Sequence, residues 1–179
     1  GVPAVMRGEE TKLVALALRL DDAVVCMPGT HCKWARLEAD RITRFTTHMT
    51  GEVFAALSQH TILARTSVEA PHSPDAFARG VTRAAQSGGL LHHLFGARSL
   101  HLMDRLAREE TRSFLSGLLI GHEIRAAAEG VTRVDLVGAA ELVAPYAEAL
   151  RLAGIAVRTH EPDLVAAGLH HIAGGLGWV

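Results

Sequence analysis

The chain has 179 residues, of which 49% are hydrophobic and 21% charged, with 18 basic against 19 acidic side chains and a formal net charge of −1. This is the composition of one folded domain with a sizeable core, and it calls for no disordered region. The charge balance leaves no electrostatic footprint for nucleic acid or an anionic membrane, and the apolar stretches break at charges or glycines before membrane-spanning length, so no nucleic acid and no membrane is expected as a partner.

Residues 1–8 contain Pro3 and the segment AVMRG, and read as an interdomain connection following another domain. Glu9, Glu10 and Thr11 then introduce KLVALALRL, whose apolar spacing suits a helix; residues 1–23 are taken as connection and first helix, and 24–179 as the main lobe. Two acids at a helix start complement its unpaired N–H groups, or one of them serves as a general base for a hydroxyl. Arg7 pairs either with an anionic ligand or with one of these glutamates.

The centre of the chain is Val24 to Leu37, VVCMPGTHCKWARL. Val24 to Met27 is a short apolar run suited to a buried strand, and Pro28-Gly29 ends it. Gly29, Thr30 and His31 form a tip that offers backbone N–H groups and a hydroxyl to an anion, with Lys33 adding charge just beyond. Alternation through Trp34 to Glu38, a turn at Ala39-Asp40 and alternation again from Ile42 to Thr46 predict a three-stranded meander. Cys26 and Cys32 flank the tip; two thiols with no signal peptide in view fit a reducing cytoplasm better than a disulfide framework.

Thr50 is the expected N-cap of a helix whose inner face, Val53, Leu57, His60, Ile62 and Leu63, covers the sheet. Ser73-Pro74-Asp75 starts another helix, through Ala85, and Gly88-Gly89 separates it from two more over Leu90–Leu106 and Glu109–Glu129. Gly117 and Gly121, four apart, mark close helix packing. The pairs His92-His93 and His170-His171 read as surface or helix-end histidines, since adjacent positions on a helix point in different directions; no metal site is assigned. Val131 to Val137 is a strand ending at Gly138, followed by a helix over Ala140–Ala153. A short strand over Ile155–Arg158 and a helix opened by Pro162-Asp163 complete the chain. In VDLVGAAEL, beginning at Val134, the strand-to-helix turn at Gly138 and Ala139 lets a planar base or ribose approach the backbone.

The segments MPGTHCKW at 27–34, VMRGEET at 5–11 and FLSGLLIGHEI at 114–124 together resemble the 2-dehydro-3-deoxygalactonokinase family, sugar-acid kinases of the actin-like, hexokinase and Hsp70 ATPase superfamily. The resemblance implies an α/β fold with a ribonuclease-H-like lobe: a mixed sheet containing the meander, helices packed on it and a helical insertion. Family members are longer and open with an Asp-x-Gly-Ser/Thr phosphate motif that this chain lacks, so the chain resembles their C-terminal, ATP-binding lobe with the N-terminal lobe missing.

On that resemblance, ATP and Mg2+ are the cofactors and a small-molecule sugar acid the substrate, phosphorylated at the 6-hydroxyl of 2-dehydro-3-deoxy-D-galactonate. Glu9 or Glu10 would receive the hydroxyl proton and Arg7 would meet the substrate. Gly29, Thr30, His31 and Lys33 would meet the phosphates, and Gly138 and Ala139 the adenosine. Many relatives in the superfamily place an Asp where this chain has Glu, and the register does not separate Glu9 from Glu10. The fragment is expected to fold without catalysing, with a homo-oligomer possible through an exposed face. A non-catalytic nucleotide-binding or assembly module of the same superfamily is the alternative. A hydrolase-like enzyme has no Gly-x-Ser-x-Gly elbow to support it.

Overall fold

Five strands, β1 (Asp22–Met27), β2 (Cys32–Glu38), β3 (Arg41–His48), β4 (Arg133–Val137) and β5 (Ala156–His160), form one mixed sheet in the order β3-β2-β1-β4-β5. β1, β2 and β3 are the antiparallel meander that the alternation predicts, whereas β4 joins β1 and β5 joins β4 in parallel. The computed structural model describes residues 3–161 and 164–177; the helix start expected at Pro162-Asp163 lies outside the described residues. Ala39 and Asp40 both take left-handed backbone angles, φ 47° and 62°, the two-residue geometry whose twist matches the flanking strands.

The two-residue period of the strands divides the core. On one face Ala23, Val25, Met27, Ala35, Leu37 and Val137 pack against α1 (Glu9–Ala17) and the start of α7 (Val165–Gly175), with Leu13 and Leu16 fully buried. The first helix is therefore part of the core. α1 and α7 touch at Gly168, where an added Cβ would lie 1.9 Å from the Thr11 carbonyl oxygen.

On the other face Cys26, Cys32, Trp34, Val134 and Leu136 meet α6 (Ala140–Leu152), α3 (Pro74–Ala84) and α5 (Arg108–Ala127). α3 and α5 lie so close that a Cβ at Gly80 would sit 2.2 Å from the Phe114 carbonyl oxygen, and one at Gly117 2.1 Å from that of Phe77. Gly121 similarly faces Ala84, so the glycine pair expected to mark close packing does so.

The helical insertion departs from expectation in four places. α2 (Thr50–His60) does not cover the sheet; Val53, Phe54 and Leu57 turn toward a separate cluster built with Leu63, Ala76, Leu115 and Leu118. It ends at His60 because the Thr61 hydroxyl accepts from the Leu63 N–H and starts a 3₁₀ turn over Ile62–Thr66. Thr50 is the first helical residue, with Met49 at the cap position; the Thr50 hydroxyl instead donates to Glu123. α4 (Gly89–Leu102) is shorter than the periodicity implies, its C-terminal turn closing at Asp104 with φ 56°.

His93 is also not a surface histidine. It is fully buried, and its Nε2–H donates to the Ser87 carbonyl at 2.9 Å while Nδ1 faces His122 Nε2 at 3.0 Å. No helix among the described residues is long and apolar enough to cross a membrane.

Candidate functional site

Because β1 and β4 are parallel neighbours, in register at Val25 and Asp135, the chain leaves both at the same edge of the sheet, the edge where open α/β sheets bind ligands. A cleft of about 630 Å³ opens there. Its walls bring together Arg7 and Glu9 from the first segment, Gly29, Thr30, His31 and Lys33 from the β1–β2 hairpin, and Gly138 from the end of β4. Residues separated by as much as 131 positions, chosen from sequence for anion binding and proton transfer, thus line one cavity. Glu10 and Ala139 do not line it. The Glu10 carboxylate turns back to accept the Gly8 N–H at 2.8 Å, and Ala139 occupies the cap position of α6.

The cleft is positively charged, with Arg7, Lys12 and Lys33 set against Glu9. Lys33 is only 5% exposed; its ammonium lies 3.7 Å from Glu9 and donates to the His31 carbonyl at 3.3 Å. A buried ammonium has three donors, so these two contacts leave capacity for a further acceptor. Glu9 accepts the Arg7 N–H at 2.6 Å. Partial burial acts to raise its pKa, but the N–H groups of Arg7 and of Glu9 itself, together with Lys33, outweigh that and hold the carboxyl below its ordinary value. Glu9 is therefore an ionised acceptor at the cleft wall.

The hairpin tip is braced from behind. Thr30 offers its carbonyl to the Glu52 N–H at 3.1 Å, and His31 pairs with the Glu52 carboxylate at 2.6 Å. The contact depends on Gly51, where an added Cβ would fall 2.6 Å from the Gly29 carbonyl oxygen. Gly29 itself is different. The nearest atom to its hypothetical Cβ is 4.0 Å away, and its φ is not in the left-handed region. A smaller, largely apolar pocket of about 190 Å³ adjoins the other side of Gly29, between α2, α5 and α6, with Ile120, Leu142 and Tyr146 in its wall.

Sequence reasoning missed Gly51 and Glu52, and it missed Glu123. The first pair carried a faint signal, a glycine inside the first turn of a helix where it lowers helix stability and so implies close approach. Glu123 carried none, because its partners Trp34, Thr50 and Tyr146 are distant in the chain. Trp34 Nε1 donates to one carboxylate oxygen at 2.6 Å; Tyr146 at 2.8 Å and Thr50 donate to the other.

Comparisons with known proteins converge. The sequence model of a family described as 2-keto-3-deoxy-galactonokinase matches residues 1–172. A Rhizobium meliloti (strain 1021) protein named 2-dehydro-3-deoxygalactonokinase DgoK1 is 42% identical, over 93% of this chain and 58% of its own. The Escherichia coli (strain K12) 2-dehydro-3-deoxygalactonokinase is 36% identical, over 94% of this chain and 59% of its own. A crystal structure of a Sinorhizobium meliloti protein described by the same activity superposes with a TM-score of 0.89 at 41% identity, covering 97% of this chain and 61% of that one. The chain thus spans less than two thirds of the length of these relatives.

Proposed function

The chain belongs to the 2-keto-3-deoxy-galactonokinase family, and from that premise we propose that it forms the ATP-binding lobe of a kinase that phosphorylates 2-dehydro-3-deoxy-D-galactonate at its 6-hydroxyl. The sheet order β3-β2-β1-β4-β5, with an antiparallel meander and two parallel strands, supports reading this lobe as ribonuclease-H-like. The observation that carries the proposal is the meeting of Gly29, Thr30, Lys33 and Glu9 in one cationic cleft at the strand ends.

In this reading the hairpin tip and Lys33 receive the nucleotide phosphates. Gly29 fits the task because nothing crowds the space beside its α-carbon, and Lys33 because its ammonium retains donor capacity. The adenosine lies beyond Gly138, toward the apolar pocket next to Gly29. Glu9, ionised and at the wall, accepts the proton of the sugar-acid hydroxyl as that oxygen attacks phosphorus, and Glu10, tied to the Gly8 N–H, does not. Arg7 offers its guanidinium to an anionic group of the substrate. Magnesium would enter with the nucleotide, since among the described residues the cleft presents one carboxylate and such ions are commonly held by substrate phosphates plus one or two carboxylates; it would neutralise phosphate charge.

Superfamily kinases close two lobes on ATP and acceptor, which aligns the reacting groups and excludes water. The 179 residues are therefore expected to fold without turning over, and to gain activity when joined to a segment equivalent to the rest of the relatives' length. The test is a coupled assay for ATP-dependent phosphorylation with a panel of 2-keto-3-deoxy sugar acids, run on the chain alone and on the extended protein. Activity of the extended protein on the galactonate compound is the expected result. No phosphorylation of any panel member would overturn the kinase reading, and substantial turnover by the chain alone would overturn the two-lobe reading.

A further inference from the structure

Behind the hairpin, on the face opposite α1, Cys26 and Cys32 approach Glu123. Both thiols are fully buried, and Glu123 is 4% exposed. Their sulfurs are 3.6 Å apart, and the two sulfurs and a carboxylate oxygen all lie within 4.8 Å of one another. We propose that Cys26, Cys32 and Glu123 supply three of the four ligands of a Zn2+ site, with a water molecule taking the fourth position.

Three observations support the assignment. First, a tetrahedral ion with metal–sulfur bonds of about 2.3 Å holds its sulfurs roughly 3.8 Å apart, close to the spacing already present, so the strands need hardly move. A disulfide would require the sulfurs to close by about 1.5 Å. Second, buried carboxylates are ordinarily paired with a cation or bound to a metal. Glu123 has no ion-pair partner among the described residues; its three hydrogen-bond donors, Trp34, Thr50 and Tyr146, are neutral. Among the described residues Oε1 accepts from Trp34, and the neighbouring Cys32 thiol proton that also faces the carboxylate is given up on loading, which leaves a lone pair for an ion. Third, there is a route inward. The pocket beside Gly29 is walled by Thr50 and Tyr146, both of which touch the Glu123 carboxylate, so an ion entering there is one side chain away from its ligands.

Two thiolates with a carboxylate suit Zn2+ better than Mg2+ or Ca2+, which take oxygen ligands. Loading exchanges the two thiol protons, released to solvent, for one dication, so the ligand set with its carboxylate carries a net charge of −1. The ion would tie the two ends of the hairpin to α5. This site is independent of the kinase reading, since none of its ligands lines the cationic cleft.

The decisive measurement is a Co2+ titration of the full chain, freed of metal and kept reduced. Cobalt is expected to bind at about one equivalent, with the near-ultraviolet charge-transfer band of thiolate ligation, visible bands of a tetrahedral ion, displacement by Zn2+ and a rise in Tm. Glu123→Gln should keep a thiolate band but weaken binding by on the order of 10- to 100-fold, and Cys32→Ser should abolish the two-thiolate spectrum. Absence of a thiolate band in the folded wild-type chain at tenfold excess of cobalt would overturn the site, whatever the variants do. So would a band of full intensity in Cys32→Ser.

Discussion

Two sets of glycines in this chain do opposite things. Between α3 and α5, Gly80, Gly117 and Gly121 are glycines because backbone or a methyl group from the other helix occupies the place of a side chain, as close as 2.1 Å. Around the cleft, Gly29 faces room, the nearest atom to a Cβ being 4.0 Å away, and a Cβ at Gly138 would meet Val143 in ordinary contact at 3.4 Å. The same residue type therefore supplies contact in the insertion and access at Gly29. Sequence spacing alone does not tell these apart, and substitution should.

The largest effect is expected at Gly117. Gly117→Val must push α5 away from the Phe77 carbonyl, and an overpacked helix interface of this kind costs about 3 kcal/mol or more, partly offset by the loss of a helix-interior glycine. Thermal or urea unfolding should show a large fall in stability, and an unchanged transition would remove the packing account of the insertion glycines.

Next comes a pair of carboxylates that sharpens the contrast between wall and scaffold. Glu9→Gln in the extended protein should lower kcat by roughly 100-fold or more with ATP affinity little changed, while Glu10→Gln should leave both near normal, because only Glu9 lines the cleft. Equal effects of the two, or none, would return both residues to service of the helix end.

Gly29→Val should show the reverse pattern to Gly117→Val. Its φ lies outside the left-handed region and the nearest atom to its Cβ would be 4.0 Å away, so stability should hold within about 0.5 kcal/mol. ATP affinity, measured by calorimetry, should fall by about 10-fold or more as the branched side chain takes space meant for phosphate. A stable variant with normal affinity would take the hairpin out of the site.

The smallest effect concerns Asp135, a carboxylate in the scaffold rather than the cleft. It is fully buried and bonded to Arg158 and His160 at 2.5 Å. Burial acts to raise its pKa, and hydrogen bonds from Arg158 and His160 outweigh this to hold it below the ordinary value. A depressed folded-state pKa contributes stability that is present above the unfolded value, near 4, and is lost as pH falls through the folded one. Tm should therefore drop on acidification below pH about 4, and Asp135→Asn should flatten that acid limb while lowering Tm at pH 7. An acid limb of equal slope in the variant would assign it to other groups.

Much of the sheet was legible because its signals are local. Alternation set the meander, Pro28-Gly29 and Ala39-Asp40 set its turns, and the apolar run after Val131 set β4. The cleft was legible residue by residue from the hairpin and the Gly8-Glu9 segment, although no spacing could say that these would meet. That meeting depends on β4 pairing with β1, a contact between residues more than 100 positions apart. What stayed hidden was side-chain company. Thr50 looks like a cap until Glu123 is seen beside it, and His93 looks like half of an exposed pair until α5 covers it. In both cases a tertiary hydrogen bond displaced the local role that propensity suggests.

Gly51 has a further consequence. By letting the start of α2 press against Gly29 and take the Thr30 carbonyl, it fixes the loop from Pro28 to His31 before any ligand arrives. Ordering backbone costs on the order of 1–2 kcal/mol per residue. A loop left free would subtract that cost from every binding event, whereas here it is met once, when the chain folds. In the proposed kinase, nucleotide release would then require no reordering of the loop at each turnover, and the tip would not be a moving part of the reaction.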